Sequence, residues 1–261
     1  MFTDTNDMNI RKEVPMIRFI LVVIFVVLFL ILSMPLMLIE WIIGKFNPDV
    51  KSRSSLAIVN WAFRVVLFLT GVKKTVIGEE LVPKDEPVLY IANHRSYFDI
   101  LLTYTRVPRP TGYVAKKEME HIPLLNIWMT FLHCQFLDRK DLKAGMKTIL
   151  TCIDKIKAGI SICIFPEGTR NKAQSELPLM EFHEGSFKIA QKTGCAIVPI
   201  AITNSADIFE SHFPKIKKTH VTIEYCEPFY IKDLPKEQQR SVGAYTRDLL
   251  TEKLMKNQSL S

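Results

Sequence analysis

From residue 19 to residue 39 the chain carries no charged side chain and consists almost wholly of Ile, Leu, Val, Phe and Met. At about 1.5 Å per residue such a run makes a helix roughly 30 Å long, enough to cross a hydrocarbon core. It has no polar face to turn toward water, unlike the core-facing helix of a soluble protein. A cleaved leader fits less well, because the run is too long and no small-x-small cleavage site follows it. The expectation is therefore a membrane helix. Pro35 near its end leaves two geometries open, one that spans and one that bends and lies shallow. Residues 56–72 form a second apolar stretch that carries Asn60 and Arg64. It reads either as an amphipathic helix or as a surface helix packed on the domain. In the first case Trp61 and Phe63 sit at a headgroup boundary and Arg64 extends toward phosphates.

The remaining sequence has the length for one large α/β domain. The formal net charge of +7 suits nucleic acid, an anionic membrane or a phosphorylated substrate. No aromatic-basic stripe or zinc spacing accompanies it, so nucleic acid is set aside and no metal site is expected. Cys134, Cys152, Cys163, Cys195 and Cys226 are odd in number, scattered and without a C-x-x-C pair. They read as small buried hydrophobes in a reducing compartment, which places the globular part on the cytoplasmic side of the membrane.

Seven short apolar runs qualify as strands, at residues 75–77, 88–92, 112–114, 135–137, 161–165, 196–202 and 221–225. Most are separated by helix-length segments, such as 144–157 and 186–193. The pattern predicts an α/β domain with a mixed, largely parallel sheet of about seven strands flanked by helices. Residues 1–15 are expected to fray, 47–55 to form a charged linker, and 236–256 to form a closing helix. The domain boundary falls after residue 72, with membrane-associated helices in 1–72 and the globular domain in 73–261.

Ligands of open α/β sheets gather at the carboxyl ends of strands. Asn93-His94 follows one strand directly, and Asp99 lies five residues after His94. On one ideal helix the pair would be about 140° apart. They meet if His94 stays in the loop and Asp99 enters the next helix. Asp99 would then fix the imidazole tautomer and leave the other ring nitrogen free as a base for a substrate hydroxyl. Ser96-x-x-Asp99 also fits a capping box, in which Asp99 only caps a helix.

Three further strand ends carry cations. Phe165-Pro166-Glu167-Gly168-Thr169-Arg170 supplies a turn glycine and an arginine suited to bidentate phosphate binding. Arg139 ends the run Phe136-Leu137-Asp138-Arg139, and Lys116-Lys117 follows the strand at 112–114. Cations around one histidine suit an anionic substrate.

Together these residues resemble the lysophosphatidate acyltransferase family of the glycerolipid acyltransferases. Its N-H-x4-D block is met by Asn93, His94 and Asp99. Its second block is met by Ala115-Lys116-Lys117-Glu118-Met119, Pro123-Leu124 and Phe136 to Arg139. F-P-E-G-T-R is met in full at Phe165 to Arg170, and V-P-I at Val198-Pro199-Ile200. The order and spacing agree over about residues 75–225. The resemblance implies a glycerolipid acyltransferase fold and a membrane-bound enzyme. In it His94, oriented by Asp99, deprotonates the sn-2 hydroxyl of 1-acylglycerol 3-phosphate for attack on an acyl thioester of coenzyme A or acyl carrier protein. The product is phosphatidate, and no cofactor is implied. The resemblance assigns Arg139, Glu167, Gly168, Thr169 and Arg170 to the glycerol phosphate, makes Lys116 a candidate for the oxyanion, and makes Pro199 structural. Another lysophospholipid, glycerol 3-phosphate, or an inactive lipid-binding relative are the alternatives. The chain departs from the family where glycines are frequent, at Asn126 and His133. It also departs from F-K-x-G-x-F, reading Phe182-His183-Glu184-Gly185-Ser186-Phe187. Those differences bear on the acceptor more than on the chemistry.

Overall fold

A computed structural model of the chain describes residues 4–258. The apolar N-terminus forms α1 (Asp4–Leu32) and α2 (Met34–Phe46), broken at Ser33, with Pro35 in the first turn of α2. Proline lacks the amide hydrogen that a continuous helix would need there. Trp128 Nε1 donates to Ser33 Oγ at 3.0 Å, so the break is pinned to the globular part. The polar segment expected to fray belongs to α1 from Asp4 onward, and residues 1–3 lie outside the described residues.

The expected linker at 47–55 is mostly helix, the start of α3 (Pro48–Thr70). Asn47 Oδ1 accepts from Val50 N at 3.1 Å, Pro48 opens the first turn, and Arg53 pairs with Asp49 at 2.9 Å. Those are helix-start signals whose polarity resembled a loop. α3 ends at Gly71, whose φ of 70° supplies the left-handed stop. Glu40 of α2 is buried and accepts from Ser54 and Ser55 hydroxyls of α3 at 2.8 and 3.1 Å.

All seven expected strands form. They are β1 (Lys73–Ile77), β2 (Leu89–Ala92), β3 (Thr111–Lys116), β4 (Gln135–Leu137), β5 (Ser161–Ile164), β6 (Ile197–Thr203) and β7 (His220–Tyr225). They make one sheet in the order β1-β7-β6-β2-β5-β3-β4. Only the β6–β7 pairing is antiparallel, so β6, β2, β5, β3 and β4 all end at the same edge. β2 is wholly buried in the middle, with Leu89 and Ile91 facing one layer and Tyr90 and Ala92 the other.

The layer under Leu89 and Ile91 includes α6 (Leu142–Lys157), α7 (Lys188–Thr193) and α9 (Val242–Gln258). The layer under Tyr90 includes α3, α4 (Phe98–Tyr104) and α5 (Leu125–Phe131), with Phe19, Phe25 and Phe29 of α1 packed against it. Val59, Val66 and Leu67 of α3 share that core, so the core is continuous across the turn at residues 71–72. Each such side chain contributes about 1.5–3 kcal/mol on burial. The expected closing helix is divided at Ser241 into α8 (Lys236–Arg240) and α9. All five cysteines are buried, and burial pushes the Cys134 thiol up to about 11 and the Cys152 thiol up to about 12.

His133, where the resembling family often has glycine, has a φ of 61°. Glycine is the ordinary occupant of that conformation. Here its backbone carbonyl lies so close to Gly112 that a Cβ there would sit 2.3 Å away. The ring compensates by joining the N-terminal helices to the domain, with Nε2 2.8 Å from Ser52 Oγ. Because the Ser52 hydroxyl donates to Pro48 O at 2.8 Å, His133 donates through Nε2–H. Burial, then the charges of Lys155 and Lys51, hold its pKa down to about 4 from 6.5. The folded state binds fewer protons here than the unfolded state, so its stability falls as pH drops from about 6.5 to about 4. His133→Gly keeps the left-handed backbone without a titrating ring. Its melting temperature in detergent is expected to fall less over that interval than that of the natural chain; parallel curves would refute this coupling.

Candidate active site

β2 delivers Asn93 and His94 to the common strand edge. The Asn93 amide extends the sheet by one step, donating to Ile202 O at 2.9 Å and accepting from Ile202 N at 2.8 Å. An amide side chain mimics a peptide group and has both the donor and the acceptor for this. The loop then turns into α4, whose second residue is Asp99.

Asp99 is fully buried, and its Oδ2 accepts from His94 Nδ1 at 2.8 Å, Arg95 N at 2.7 Å and Ser96 N at 2.8 Å. Ser96 Oγ in turn accepts from Phe98 N at 3.0 Å. The carboxylate half of a capping box, Ser96 N donating to Oδ2, and the His–Asp contact therefore coexist on one carboxylate, while Asp99 N donates to Ser96 O and not to Ser96 Oγ. With Nδ1 carrying its hydrogen toward Asp99, His94 Nε2 is left without a protein partner among the described residues. The ring lies flat against Phe165, with centroids 4.1 Å apart and planes inclined by 19°. Such an imidazole is fixed in tautomer and in plane, as a general base requires.

The segment after β5 braces the histidine from behind. Glu167 is buried, with Oε1 accepting from His94 N at 2.8 Å and Oε2 from Met180 N at 3.1 Å, and burial raises its carboxyl pKa. Asn171 N donates to His94 O at 2.7 Å, so both backbone groups of His94 are held by the residues around Gly168. Gly168 has a φ of 70°, and a Cβ there would lie 2.9 Å from His183 Nε2. Thr169 is exposed. Glu167 and Gly168 thus sit where they shape the loop around His94.

Arg170 points into a cavity of about 600 Å³ walled by Arg95, Tyr97, Arg170, Phe209, Glu210 and Phe213, among others. Its guanidinium lies 3.7 Å above the Tyr97 ring, and Nη1 donates to Glu210 Oε1 at 3.0 Å. Glu210 also accepts from Tyr97 N at 2.7 Å and Ser96 Oγ at 2.6 Å. It therefore joins the His94 loop to the Arg170 loop. Sequence reasoning missed Glu210 and Tyr97, because neither belongs to a spaced pattern. The only signal for Glu210 was topological, since it follows β6, which ends at the same edge as β2. Arg95 donates to Ala173 O at 2.7 Å and to Ser175 O, closing the loop beyond Arg170.

Lys116 and Arg139 stand at the ends of β3 and β4 and do not line this cavity. Lys116 pairs with Glu118 at 2.7 Å and Lys117 with Asp138 at 2.9 Å. Arg139 is exposed at its surface, though desolvation lowers its pKa. Pro199 lies within β6 opposite Ile91. The strand ends thus present two cationic places, one at Arg170 beside the His94 loop and one at Lys116 and Arg139.

The chain is 27% identical over 193 residues to the 1-acyl-sn-glycerol-3-phosphate acyltransferase of Saccharomyces cerevisiae, covering 74% of this chain and 63% of that protein. The match thus takes in less than two thirds of the yeast relative's length. It is 28% identical over 202 residues to the protein of that name from Borreliella burgdorferi, covering 77% and 80% of the two chains. The fold is that of a solved structure, the 1-acyl-sn-glycerophosphate (LPA) acyltransferase PlsC from Thermotoga maritima. The two share a TM-score of 0.80 at 21% identity, over 95% of this chain and 98% of that one. Residues 73–203, the segment that holds His94, Asp99 and the Arg170 loop, match the family described as Acyltransferase, and the chain belongs to that family.

Proposed function

We propose that the chain transfers an acyl group from a thioester of coenzyme A or acyl carrier protein to the sn-2 hydroxyl of 1-acylglycerol 3-phosphate, forming phosphatidate. The observation that carries this reading is the His94 ring, held on Asp99 through Nδ1 and open at Nε2. His94 Nε2 takes the hydroxyl proton as the oxygen adds to the thioester carbonyl. The tetrahedral intermediate then collapses, the C–S bond breaks, and the thiolate leaves with the proton that His94 returns. No covalent enzyme intermediate is needed. Arg170 receives the acceptor's phosphate beside His94 and Asp99, while Lys116 and Arg139 stand apart from that phosphate at the ends of β3 and β4.

Arg170→Gln tests the acceptor assignment. A lost charge-assisted contact of about 1.5–3 kcal/mol corresponds to roughly a 10- to 100-fold rise in KM for 1-acylglycerol 3-phosphate. The KM for a neutral monoacylglycerol should not move, and equal effects on both acceptors would sink the assignment. A panel of radiolabelled acceptors with both thioester donors identifies the preferred pair.

We further propose that α1 and α2 embed the protein in one leaflet, with the catalytic domain on the cytoplasmic side. The apolar part of α1, Val14–Leu32, touches the domain near both ends: Ile216 N donates to Pro15 O at 3.0 Å and Phe19 stacks on Phe209, while Phe29 stacks on Trp128 beside Ser33. A helix attached along its length to one domain does not leave that domain to cross a bilayer. Its outer face, including Ile20, Ile24, Leu28 and Ile31, is exposed and apolar, as an interfacial helix requires. The Phe19–Phe209 contact, on the inner side of α1, brings the helix to the wall of the Arg170 cavity, which suits delivery of a lipid acceptor. Ile24→Asp with Leu28→Asp is expected to shift protein from the membrane pellet to the supernatant. Unchanged pelleting would rule this placement out.

A further inference from the structure

A second polar cleft, of about 440 Å³, lies away from the dyad between α3, β1 and the end of α4. It is lined by Asn60, Arg64, Lys74, Glu79, Thr105 and Arg106, with Val107. Three cations meet there and only one carboxylate. Glu79 is engaged by Arg106 Nη1 at 2.5 Å. Among the described residues Arg64 and Lys74 form no salt bridge. Burial, then the neighbouring Arg106 and Arg64 charges, lower the pKa of the Lys74 ammonium. Like charges brought together in a partly dry cleft repel unless an anion lies between them.

Two buried polar atoms also lack partners. Asn60 is 8% exposed, and its Oδ1 accepts no hydrogen bond. Arg106 Nε donates none. An unmet acceptor next to unmet donors suits a group that offers both an anionic oxygen and a hydroxyl.

The surroundings define what carries that group. Trp61 and Phe68 lie three residues before and four residues after Arg64, on the same face of α3. They are 57% and 82% exposed, and Trp61 continues the aromatic cluster of Phe25 and Phe29 on α1. Arg64 is therefore the one cation on an apolar strip, at the mouth of a polar cleft. Phe63, by contrast, turns inward and meets the Tyr104 ring edge-on at 5.8 Å.

We propose that the Asn60–Arg64–Lys74–Arg106 cleft is a second phosphate site, separate from the reaction centre, which takes the headgroup of an anionic phospholipid whose chains lie along Trp61 and Phe68. It rests on the membrane placement of the N-terminal helices and not on the acyl-transfer reading. Arg64, Lys74 and Arg106 meet the phosphate, and Asn60 Oδ1 accepts from a headgroup hydroxyl. Such a site fixes the rotation of the domain on the membrane surface.

The test is native mass spectrometry of the full chain in detergent, titrated with phosphatidylglycerol. One tightly retained lipid per chain is expected. Arg64→Gln with Lys74→Gln should weaken its retention about tenfold or more, and Arg170→Gln should leave it unchanged. Phosphatidylcholine, whose choline would face the same cations, should bind at least about tenfold more weakly. Displacement by millimolar sn-glycerol 3-phosphate would identify the natural occupant as a free anion, and resistance to it as a lipid. Acyl transfer to a micellar acceptor should be unaffected by the double substitution, so the outcome is independent of the catalytic reading. Wild-type retention by the double variant, loss only with Arg170→Gln, or equal binding of phosphatidylcholine would each overturn the proposal.

Discussion

Replacing His94 with alanine is expected to lower kcat for acyl transfer by about 10²–10⁴ without unfolding the protein. The size follows from the proposed role, in which the ring supplies the base for the acceptor hydroxyl. The cleanness follows from how the residue is held. Its position depends on the backbone contacts with Glu167 Oε1 at 2.8 Å and Asn171 N at 2.7 Å, and alanine keeps both. Asp99 Oδ2 would still accept from Arg95 N and Ser96 N, so no buried carboxylate is stranded. The ring does leave a space against Phe165. The imidazole is at the edge of the core, with 14% of its side chain exposed, so the melting temperature should change little. The measurement pairs single-turnover acyl transfer with thermal denaturation of the purified variant. Near-normal transfer by a folded His94→Ala protein would remove the histidine from the mechanism.

Much of this site was legible in the sequence because the chemistry sits at strand ends. A short apolar run followed by Asn-His or Phe-Pro-Glu-Gly marks a buried strand leaving a sheet. Parallel strands entered in the same sense bring such ends to one edge. The β6–β2–β5 arrangement realises this, with His94 and the Glu167–Arg170 loop on adjacent strands. Two features were hidden for physical reasons. Asn47, Pro48 and Asp49 resembled a linker because helix starts use the same residues as turns. Glu210 was hidden because a carboxylate that joins two loops across the sheet has no local periodicity.

The sequence also suggested that every strand-end cation would converge on one substrate. The sheet sets β4 three strands away from β2, so Arg139 stands apart from Arg170. Glu167 reads as a ligand of phosphate from its motif. In the fold both of its oxygens are turned to backbone N–H groups, Oε1 to His94 N and Oε2 to Met180 N.

Asp99 performs two tasks that different substitutions separate. As a cap it accepts from the buried N–H groups of Arg95 and Ser96, and as the histidine's partner it holds Nδ1. Asp99→Ala removes both and leaves the two backbone donors unmet, at a cost of about 1–3 kcal/mol each. That variant should melt well below the natural protein and be inactive for uninformative reasons. Asp99→Asn is the sharper experiment. Because two backbone donors face the Oδ2 position, the asparagine's carbonyl oxygen, not its NH₂, must take that place. The cap and the His94 tautomer both survive, and what is lost is the negative charge that stabilises the imidazolium once the hydroxyl proton has moved. The NH₂ falls where Oδ1 lies buried without a partner, so a modest loss of stability is expected as well. The expected result is a kcat about 10²-fold lower or more, with KM for the acceptor near normal and folding largely retained. In the serine-protease triad the corresponding change costs about 10⁴ by selecting the wrong tautomer. Here the backbone donors prevent that, so the loss should be smaller. A folded Asp99→Asn protein with natural kcat would show that the carboxylate is only a helix cap.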